Sequence, residues 1–201
     1  MPLSTSVETE IATLAAAYGQ PRRVTVTLDG ALFDPLTKPD RYGEVCMVVQ
    51  RRNGCLLTAI KTFYPAGCYR LLTGGVAHGE SIEAALWREV EEETGLLVAV
   101  RQFLAVIEYQ PAPFATFAFL LDELGGELAV RDPEERIGSF REITVADLPA
   151  LAEILDAASD AEDVNIGGNW RAWGRFRAVV HRVVHEILTE ENPPQGAGVY
   201  L

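Results

Sequence analysis

The strongest constraint on the fold is one short helix whose acidic residues lie on the same side as its apolar residues. Ser81 can cap this helix, and Glu83 in the first turn suits the positive end of the helix dipole. Gly95 supplies the stop at the other end. The segment between Ser81 and Gly95 therefore predicts a self-contained helix in the middle of the chain.

The carboxylates of this helix are expected to face inward. At about 100° of rotation per residue, the side that carries Leu86 also carries three glutamates, Glu89, Glu92 and Glu93. A solvated charge face would lie opposite the apolar stripe, as Glu91 is expected to, because burying several carboxylates without compensation is costly. We therefore expect a cation beside the inward glutamates.

Two kinds of cation fit this helix. Arg88, one helical turn before Glu92, can pair with one acid, and the remaining oxygens suit a hard divalent cation such as Mg²⁺ or Mn²⁺. The alternative is an ordinary helix with i,i+4 ion pairs. That alternative explains Arg88 and Glu92, but it leaves the placement of Glu89 and Glu93 unexplained, so the pattern favours a metal site.

The spacing of the fixed residues carries a resemblance to a known family. Residues 74–96 read GGVAHGESIEAALWREVEEETGL, and they meet every fixed position of G-x5-E-x7-R-E-U-x-E-E-x-G-U, where U is apolar. The segment resembles the Nudix box, and the chain is similar to Nudix hydrolases. This resemblance implies an α/β/α sandwich with a mixed β-sheet and the catalytic loop and helix in mid-chain. It also implies Mg²⁺-dependent hydrolysis of a nucleoside diphosphate joined to another group.

The resemblance also assigns roles within the box, which we define as residues 74–96. It implies that Glu89, Glu92 and Glu93 bind the metal, that Arg88 and Glu80 order the loop and helix, that Gly74 and Gly95 are structural, and that the carbonyl of Thr73 completes the coordination. Either Glu93 or an acid outside the box would take a proton from the attacking water.

Acids outside the box are found in a predicted loop after Asp132-Pro133. Glu134 and Glu135 lie where family members commonly carry another acid that binds metal or activates water. A solvated loop charge is the equally weighted alternative, and Glu142 is a lesser candidate for the same role.

Composition bounds the remaining possibilities. With 201 residues, 48% of them hydrophobic, the chain predicts a single domain, with an N-terminal extension over about 1–42 and a C-terminal amphipathic helix over about 169–190. The formal charge of −12 argues against a nucleic-acid polymer or an anionic membrane as partner, so we expect an anionic nucleotide-derived small molecule.

No apolar run reaches about 20 residues and no basic-then-apolar leader is present, which predicts a cytoplasmic protein. We expect any homodimer contact at the two terminal elements.

The periodicity of the chain predicts strands around one central helix. In order, we expect a helix over 7–18, a strand over 23–28, a loop over 34–42, a hairpin of strands 45–50 and 55–62, strands over 69–72, 97–109, 114–121 and 137–143, and helices over 146–157 and 169–190. The Asn53-Gly54 pair is the hairpin signal, and the Gly-rich start of the box reads as a turn. Three cysteines without C-x-x-C spacing predict neither disulfides nor a zinc ribbon.

Two aromatic and two basic side chains on the last helix carry weaker signals. His181 and His185 lie one turn apart, but no acid or cysteine accompanies them at ligand spacing, so we interpret them as a surface pair off the apolar face. Trp170 and Trp173 could stack on a base, although aromatic residues on an amphipathic helix more often belong to the core.

Two short stretches bear on the substrate. Residues 71–74 read LLTG, similar to the L-P-A-G of ADP-ribose pyrophosphatases, and Pro111 lies fifteen positions past the box, where that subgroup tends to have proline. Residues 110–114, QPAPF, resemble part of the S-Q-P-W-P-F-P motif of NADH pyrophosphatases, but they lack its Ser and Trp and lie at a different distance from the box, and three cysteines cannot supply that group's zinc ribbon. NADH is therefore a minor candidate. A Pro-x-Pro bend between strands explains both equally well.

The sequence is compatible with three functions. The first is pyrophosphate hydrolysis in a nucleoside diphosphate derivative such as ADP-ribose or a nucleotide sugar. The second is a nucleoside triphosphate pyrophosphohydrolase that clears damaged nucleotides. The third is a nucleotide sensor that binds without cleaving; because such a module could dispense with some box acids, the complete set favours an enzyme.

Overall fold

The fold of residues 3–28 and 33–191 is described by a computed structural model. Within these described residues, the chain forms four helices and nine strands, which in order are α1 (Thr5–Tyr18), β1 (Arg22–Thr27), β2 (Arg41–Gln50), β3 (Leu56–Lys61), β4 (Arg70–Ala77), α2 (Ile82–Thr94), β5 (Leu96–Gln110), β6 (Phe114–Gly126), β7 (Ile137–Ile143), α3 (Leu148–Asp156), β8 (Glu162–Asp163), β9 (Gly168–Asn169) and α4 (Trp170–Glu191). The helices and long strands agree with the predicted elements to within a few residues at most ends.

Seven of the strands form one mixed sheet in the order β1-β5-β6-β2-β4-β3-β7. The central strand β2 pairs parallel with β6 and antiparallel with β4, and its hairpin to β3 turns through residues 51–55, as the Asn-Gly pair predicted. The strands β8 and β9 form a separate two-stranded hairpin that the sequence analysis missed. Each of these strands has only two residues, too few to show an alternation of apolar and polar residues.

The sheet is covered on both faces, and the alternation of β2 shows why. Cys46 and Val48 point to one apolar cluster together with residues of α3 and α4, whereas Val45, Met47 and Val49 point to a second cluster with residues of α1 and α2. A strand buried on both faces reads as a continuous apolar run rather than an alternating one. The architecture is therefore the expected α/β/α sandwich. Among the described residues, no helix combines the length and apolar character that crossing a bilayer requires.

The start of the box differs from the prediction. Gly74 and Gly75 do not open a turn; they continue β4, where they pair with Val45 and Glu44 of β2. The pairing with β2 is a tertiary contact, and it overrides the local preference of two glycines for a turn. The helix itself begins and ends as predicted: the Ser81 hydroxyl accepts the Ala84 amide at 3.1 Å, and Gly95 adopts a left-handed conformation with φ of 62°.

The loop between β6 and β7 is fastened to the C-terminal end of α2. The backbone amide of Ala129 donates to the carbonyl of Thr94 at 2.9 Å, and the amides of Arg131 and Asp132 both donate to the carbonyl of Glu92. The last carbonyls of a helix have no partner within the helix, so this loop supplies one. The following residues, Pro133–Glu135, form a single 3-10 turn beside the box helix.

Candidate active site

The box helix and strand β4 approach each other so closely that only glycine fits between them. A Cβ atom built on Gly74 would lie 1.8 Å from Cδ of Glu89. Glu89 is 4% exposed and Glu93, one turn later, is fully buried. The missing side chain at Gly74 therefore makes the space into which the carboxylate of Glu89 projects.

Three carboxylates meet at this point. Oxygens of Glu89, Glu93 and Glu135 lie within 4.8 Å of one another. One oxygen of Glu89 and both oxygens of Glu93 are buried without a hydrogen-bond partner among the described residues. Burial raises the pKa of Glu89, although Arg88 opposes the change, and burial raises the pKa of Glu93 to about 8.

This cluster fits a divalent cation. Unpartnered buried oxygens are costly, and a hard cation that takes several carboxylate ligands removes that cost. Glu89, Glu93 and Glu135 are the residues that would hold it. Neighbouring carboxylates also raise one another's pKa, so a cation between them would favour their charged forms.

Glu92 lies outside the three-carboxylate cluster. It is partly exposed, and its carboxylate accepts a hydrogen bond from Arg88 at 3.0 Å. Arg88 also donates to Glu89 at 2.7 Å and to the carbonyl of Gly75 at 2.8 Å. It also donates two hydrogen bonds to the carboxylate of Glu80, at 2.8 and 3.0 Å. Arg88 thus ties the helix to strand β4 and to the turn that precedes the helix.

The turn is held from its other side as well. The carboxylate of Glu80 accepts the amide of Ala77 at 3.2 Å, and the guanidinium of Arg88 lowers the pKa of Glu80. Glu80 therefore stays charged and keeps the chain between β4 and α2 in one conformation.

The three acids proposed outside the box have different surroundings. Glu135 joins the cluster, where Lys61 donates to it at 2.9 Å; burial acts to raise the pKa of Glu135, but Lys61 lowers it below its usual value. Glu134 is exposed and lies outside the cluster. Glu142 is exposed at the far end of β7, where it pairs with Asn53 and Arg51.

A buried ion pair, absent from the sequence analysis, lies beside the cluster. Arg177 of α4 donates to both oxygens of Glu44 on β2, at 2.8 and 2.7 Å, and to the hydroxyl of Thr73 at 3.0 Å. The hydroxyl of Thr116 donates to Glu44 at 2.9 Å. This network fixes the side chain of Thr73, the residue whose carbonyl the resemblance assigns to the metal.

His181 corrects a prediction. It is fully buried rather than off the apolar face: its Nε2 accepts the amide of Leu71 at 3.0 Å, and its Nδ1 donates to the carbonyl of Arg177 at 2.8 Å. Burial lowers the pKa of His181 to about 4, so the ring is neutral. Arg177 and His181 follow Trp173 by four and eight positions, which places all three on the stripe that faces the sheet. This four-residue spacing was the sequence signal from which the burial of Arg177 and His181 could have been predicted.

Trp170 and Trp173 belong to the core, as the commoner reading of such residues predicted. They are 4% and 1% exposed, and their rings contact each other and Tyr64 edge to face. Trp173 also contributes to the wall of the cavity above the cluster.

That cavity has a volume of about 270 Å³ and is lined by groups of both charges. Its cations are Arg41, Lys61, Arg70, Arg88 and Arg177; its acids are Asp34, Glu44, Glu89 and Glu135; its aromatic wall is Phe63, Tyr64 and Trp173. Five cations and four acids nearly cancel, so one divalent cation would make the lining favour an anion.

A second cavity of about 860 Å³ also borders the box. Its lining includes the apolar side chains of Leu36 and Phe114, and it shares Arg41 with the first cavity. The two cavities therefore have one lining residue in common, Arg41.

Comparison with known proteins is consistent with this geometry. A family model described as the NUDIX domain matches residues 40–164. An ADP-ribose pyrophosphatase of Methanocaldococcus jannaschii is 34% identical over 109 residues, which cover 52% of this chain and 63% of the relative. An NAD-capped RNA hydrolase NudC of Pasteurella multocida is 39% identical over 93 residues, covering 44% of this chain and 34% of the relative. The chain thus matches less than two thirds of either protein.

Among solved structures, one described as a UDP-X diphosphatase aligns with a TM-score of 0.50 at 14% identity, covering 79% of this chain and 68% of that one. At that identity the likeness concerns the fold alone.

Proposed function

Because the chain belongs to the NUDIX domain family, we propose that it hydrolyses the pyrophosphate linkage of a nucleoside diphosphate joined to another group, with ADP-ribose and nucleotide sugars as the first candidates. One observation carries the proposal. Among the described residues, one carboxylate oxygen of Glu89 and both of Glu93 are buried on the box helix without a hydrogen-bond partner, and Glu89 lines a cavity whose other walls carry cations. Neither a solvated helix nor a purely structural ion pair explains that combination.

The two cavities support a substrate with an organic group on each side of its diphosphate. The first, at about 270 Å³, is near the lower end of the volumes that ligand sites have, so it suits a phosphate and one small group rather than a whole dinucleotide. The second cavity supplies apolar walls for the other group, and Arg41, which borders both, lies where the diphosphate would pass.

The residues of the site divide the work as follows. A bound Mg²⁺ or Mn²⁺ would supply charge neutralisation at the phosphates and activation of water. Glu89, Glu93 and Glu135 would hold that cation, and Arg88 keeps Glu89 in position. Glu135 also takes the proton of the attacking water, because it is the least buried of the three and lines the cavity.

The test is a product assay with a matched pair of variants. Purified protein is incubated with ADP-ribose, nucleotide sugars, NADH, dinucleoside polyphosphates and nucleoside triphosphates, with Mg²⁺, with Mn²⁺ or with a chelator. We expect two monophosphate products from a diphosphate derivative, only when metal is present. Glu135→Gln should lower turnover about 100-fold or more, whereas Glu134→Gln, its exposed neighbour, should stay near wild type.

Other outcomes would redirect the proposal. Pyrophosphate released from a triphosphate would indicate a nucleotide-clearing enzyme. Tight nucleotide binding without any product would indicate a sensor. Equal losses in Glu134→Gln and Glu135→Gln would contradict the role given to Glu135.

A further inference from the structure

Lys61 is in direct contact with the carboxylate of Glu135. Its Nζ lies 2.9 Å from Oε2 of Glu135, its side chain is 19% exposed, and it lines the cavity above the three-carboxylate cluster. No role for this residue follows from the box, which begins thirteen positions later.

A local irregularity of the sheet fixes where Lys61 lies. The register of β3 against β7 shifts between Ile60 and Lys61: Ile60 pairs with Ser139, but Lys61 pairs with Ile137, so Gly138 has no partner in the register. Such bulges re-aim side chains and are common beside active sites. Here the bulge falls at the last residue of β3, whose side chain reaches Glu135 just before β7 begins.

The choice of lysine is itself informative. The chain has 17 basic residues, and only Lys38 and Lys61 among them are lysines. Elsewhere in the site a guanidinium group holds two of the carboxylates: Arg88 donates to Glu80 and Glu89. A guanidinium grips a carboxylate in a rigid planar fork, whereas an ammonium makes a point contact at the end of a flexible four-carbon stem. The ion pair of Glu135 can therefore dissociate, and the flexible side chain of Lys61 can then bind another group in the cavity.

We propose that Lys61 is a ligand for a substrate phosphate, and that Glu135 holds it in the cavity until a divalent cation engages that carboxylate. The identity of the phosphate as part of a nucleoside diphosphate derivative rests on the proposed function. Glu135 belongs both to the three-carboxylate cluster and to the ion pair with Lys61, so a divalent cation bound by the cluster would compete with Lys61 for the carboxylate of Glu135. The ammonium would then lose its partner, and a phosphate oxygen is the group that replaces it.

The two lysines allow a direct measurement on the wild-type protein. Lysine reactivity toward an amine-acylating reagent is measured by mass spectrometry, with Lys38 as the internal reference. We expect the reactivity of Lys61 relative to Lys38 to rise about threefold or more when Mg²⁺ replaces the chelator, because a partly exposed ion pair is modest in strength. Adding methylenediphosphonate, a non-hydrolysable probe without organic arms, should then lower it again. No rise with Mg²⁺, or no protection by the probe, would overturn the proposal.

Two variants separate this role from a structural one. Without substrate, Lys61→Met should bind Mn²⁺ more tightly than wild type in a titration, because the competing ammonium is gone. With substrate, its KM should rise about tenfold or more, since a charged hydrogen bond is lost. Lys61→Arg, which keeps the charge but grips Glu135 more firmly, should bind Mn²⁺ more weakly than wild type. A lysine with a merely structural role would leave KM unchanged in Lys61→Met and would loosen its Mn²⁺ binding.

The proposed function and the role of Lys61 can fail separately. If the wild-type protein releases no product from any substrate of the panel, the proposed function is wrong. The labelling and Mn²⁺ measurements need no turnover, so they still decide whether Lys61 is released by metal and covered by a phosphate.

Discussion

Glu44 and Glu93 are both buried glutamates close to the same cavity, yet their surroundings are opposite. Glu44 is 3% exposed and receives hydrogen bonds on its carboxylate from Arg177 and Thr116. Glu93 is fully buried, neither of its oxygens has a hydrogen-bond partner among the described residues, and Arg70 lies 3.9 Å away. Burial alone therefore does not distinguish a structural acid from a functional one. The distinction lies in whether hydrogen-bond donors and cations contact the carboxylate.

The largest expected effect comes from replacing the acid without partners. Glu93→Gln should lower turnover by orders of magnitude, because it removes a charge expected to hold the cation. The same change should stabilise the metal-free protein. In chelator above about pH 8, we expect the free energy of unfolding to exceed that of wild type by about 2 kcal/mol, which urea denaturation would measure.

The pH dependence of that difference follows from the raised pKa. Burial raises the pKa of Glu93 from 4.5 to about 8, so the folded protein keeps a proton that the unfolded chain releases above 4.5. The stability of wild type relative to the variant therefore falls as the pH rises from about 4.5 to about 8. Glu91→Gln, on the exposed side of the same helix, is the control. A constant difference between Glu93→Gln and wild type at all pH values would contradict this account.

The second-largest expected effect is on stability, and it tests the ion pair between Glu44 and Arg177. Arg177→Met should destabilise the protein by about 3–5 kcal/mol, because it leaves the buried charge of Glu44 without its cation. The double variant Arg177→Met/Glu44→Leu should recover much of that loss, since no charge remains to be compensated. Denaturant unfolding of the two single variants and the double variant measures the coupling. Additive losses would show that the pair is not the coupled unit that its distances imply.

The smallest effect concerns His181, which joins α4 to β4 next to that pair. Burial lowers the pKa of His181 to about 4, whereas the unfolded side chain titrates near 6.5. As the pH falls from about 6.5 to about 4, the unfolded chain gains a proton that the folded protein does not, so stability is lost. Wild type should lose up to about 3 kcal/mol more than His181→Gln over this window. Equal pH profiles in denaturant unfolding would refute the assignment.

The box helix could be predicted almost residue by residue, because its caps and its spacing are local properties of the chain. The path of β4 could not, because the pairing of Gly74 and Gly75 with β2 depends on a partner about thirty positions away. Glu135 could be separated from Glu134 only by the fold, since the loop gives neither residue a periodic pattern. The single-domain division, the homodimer and the cytoplasmic location stay predictions.

The amides that fasten the loop of Glu135 to the box helix also make the site observable from outside. Ala129, Arg131 and Asp132 donate to the carbonyls of Thr94 and Glu92, the last turn of the helix that carries Glu93. Local opening of this short segment and fraying of the helix end are consequently one event, and amide hydrogen exchange at these three positions would report on it. A ligand that draws Glu135 and Glu93 together would slow that exchange. The exchange rates of these loop amides would therefore report whether the buried carboxylate cluster is occupied.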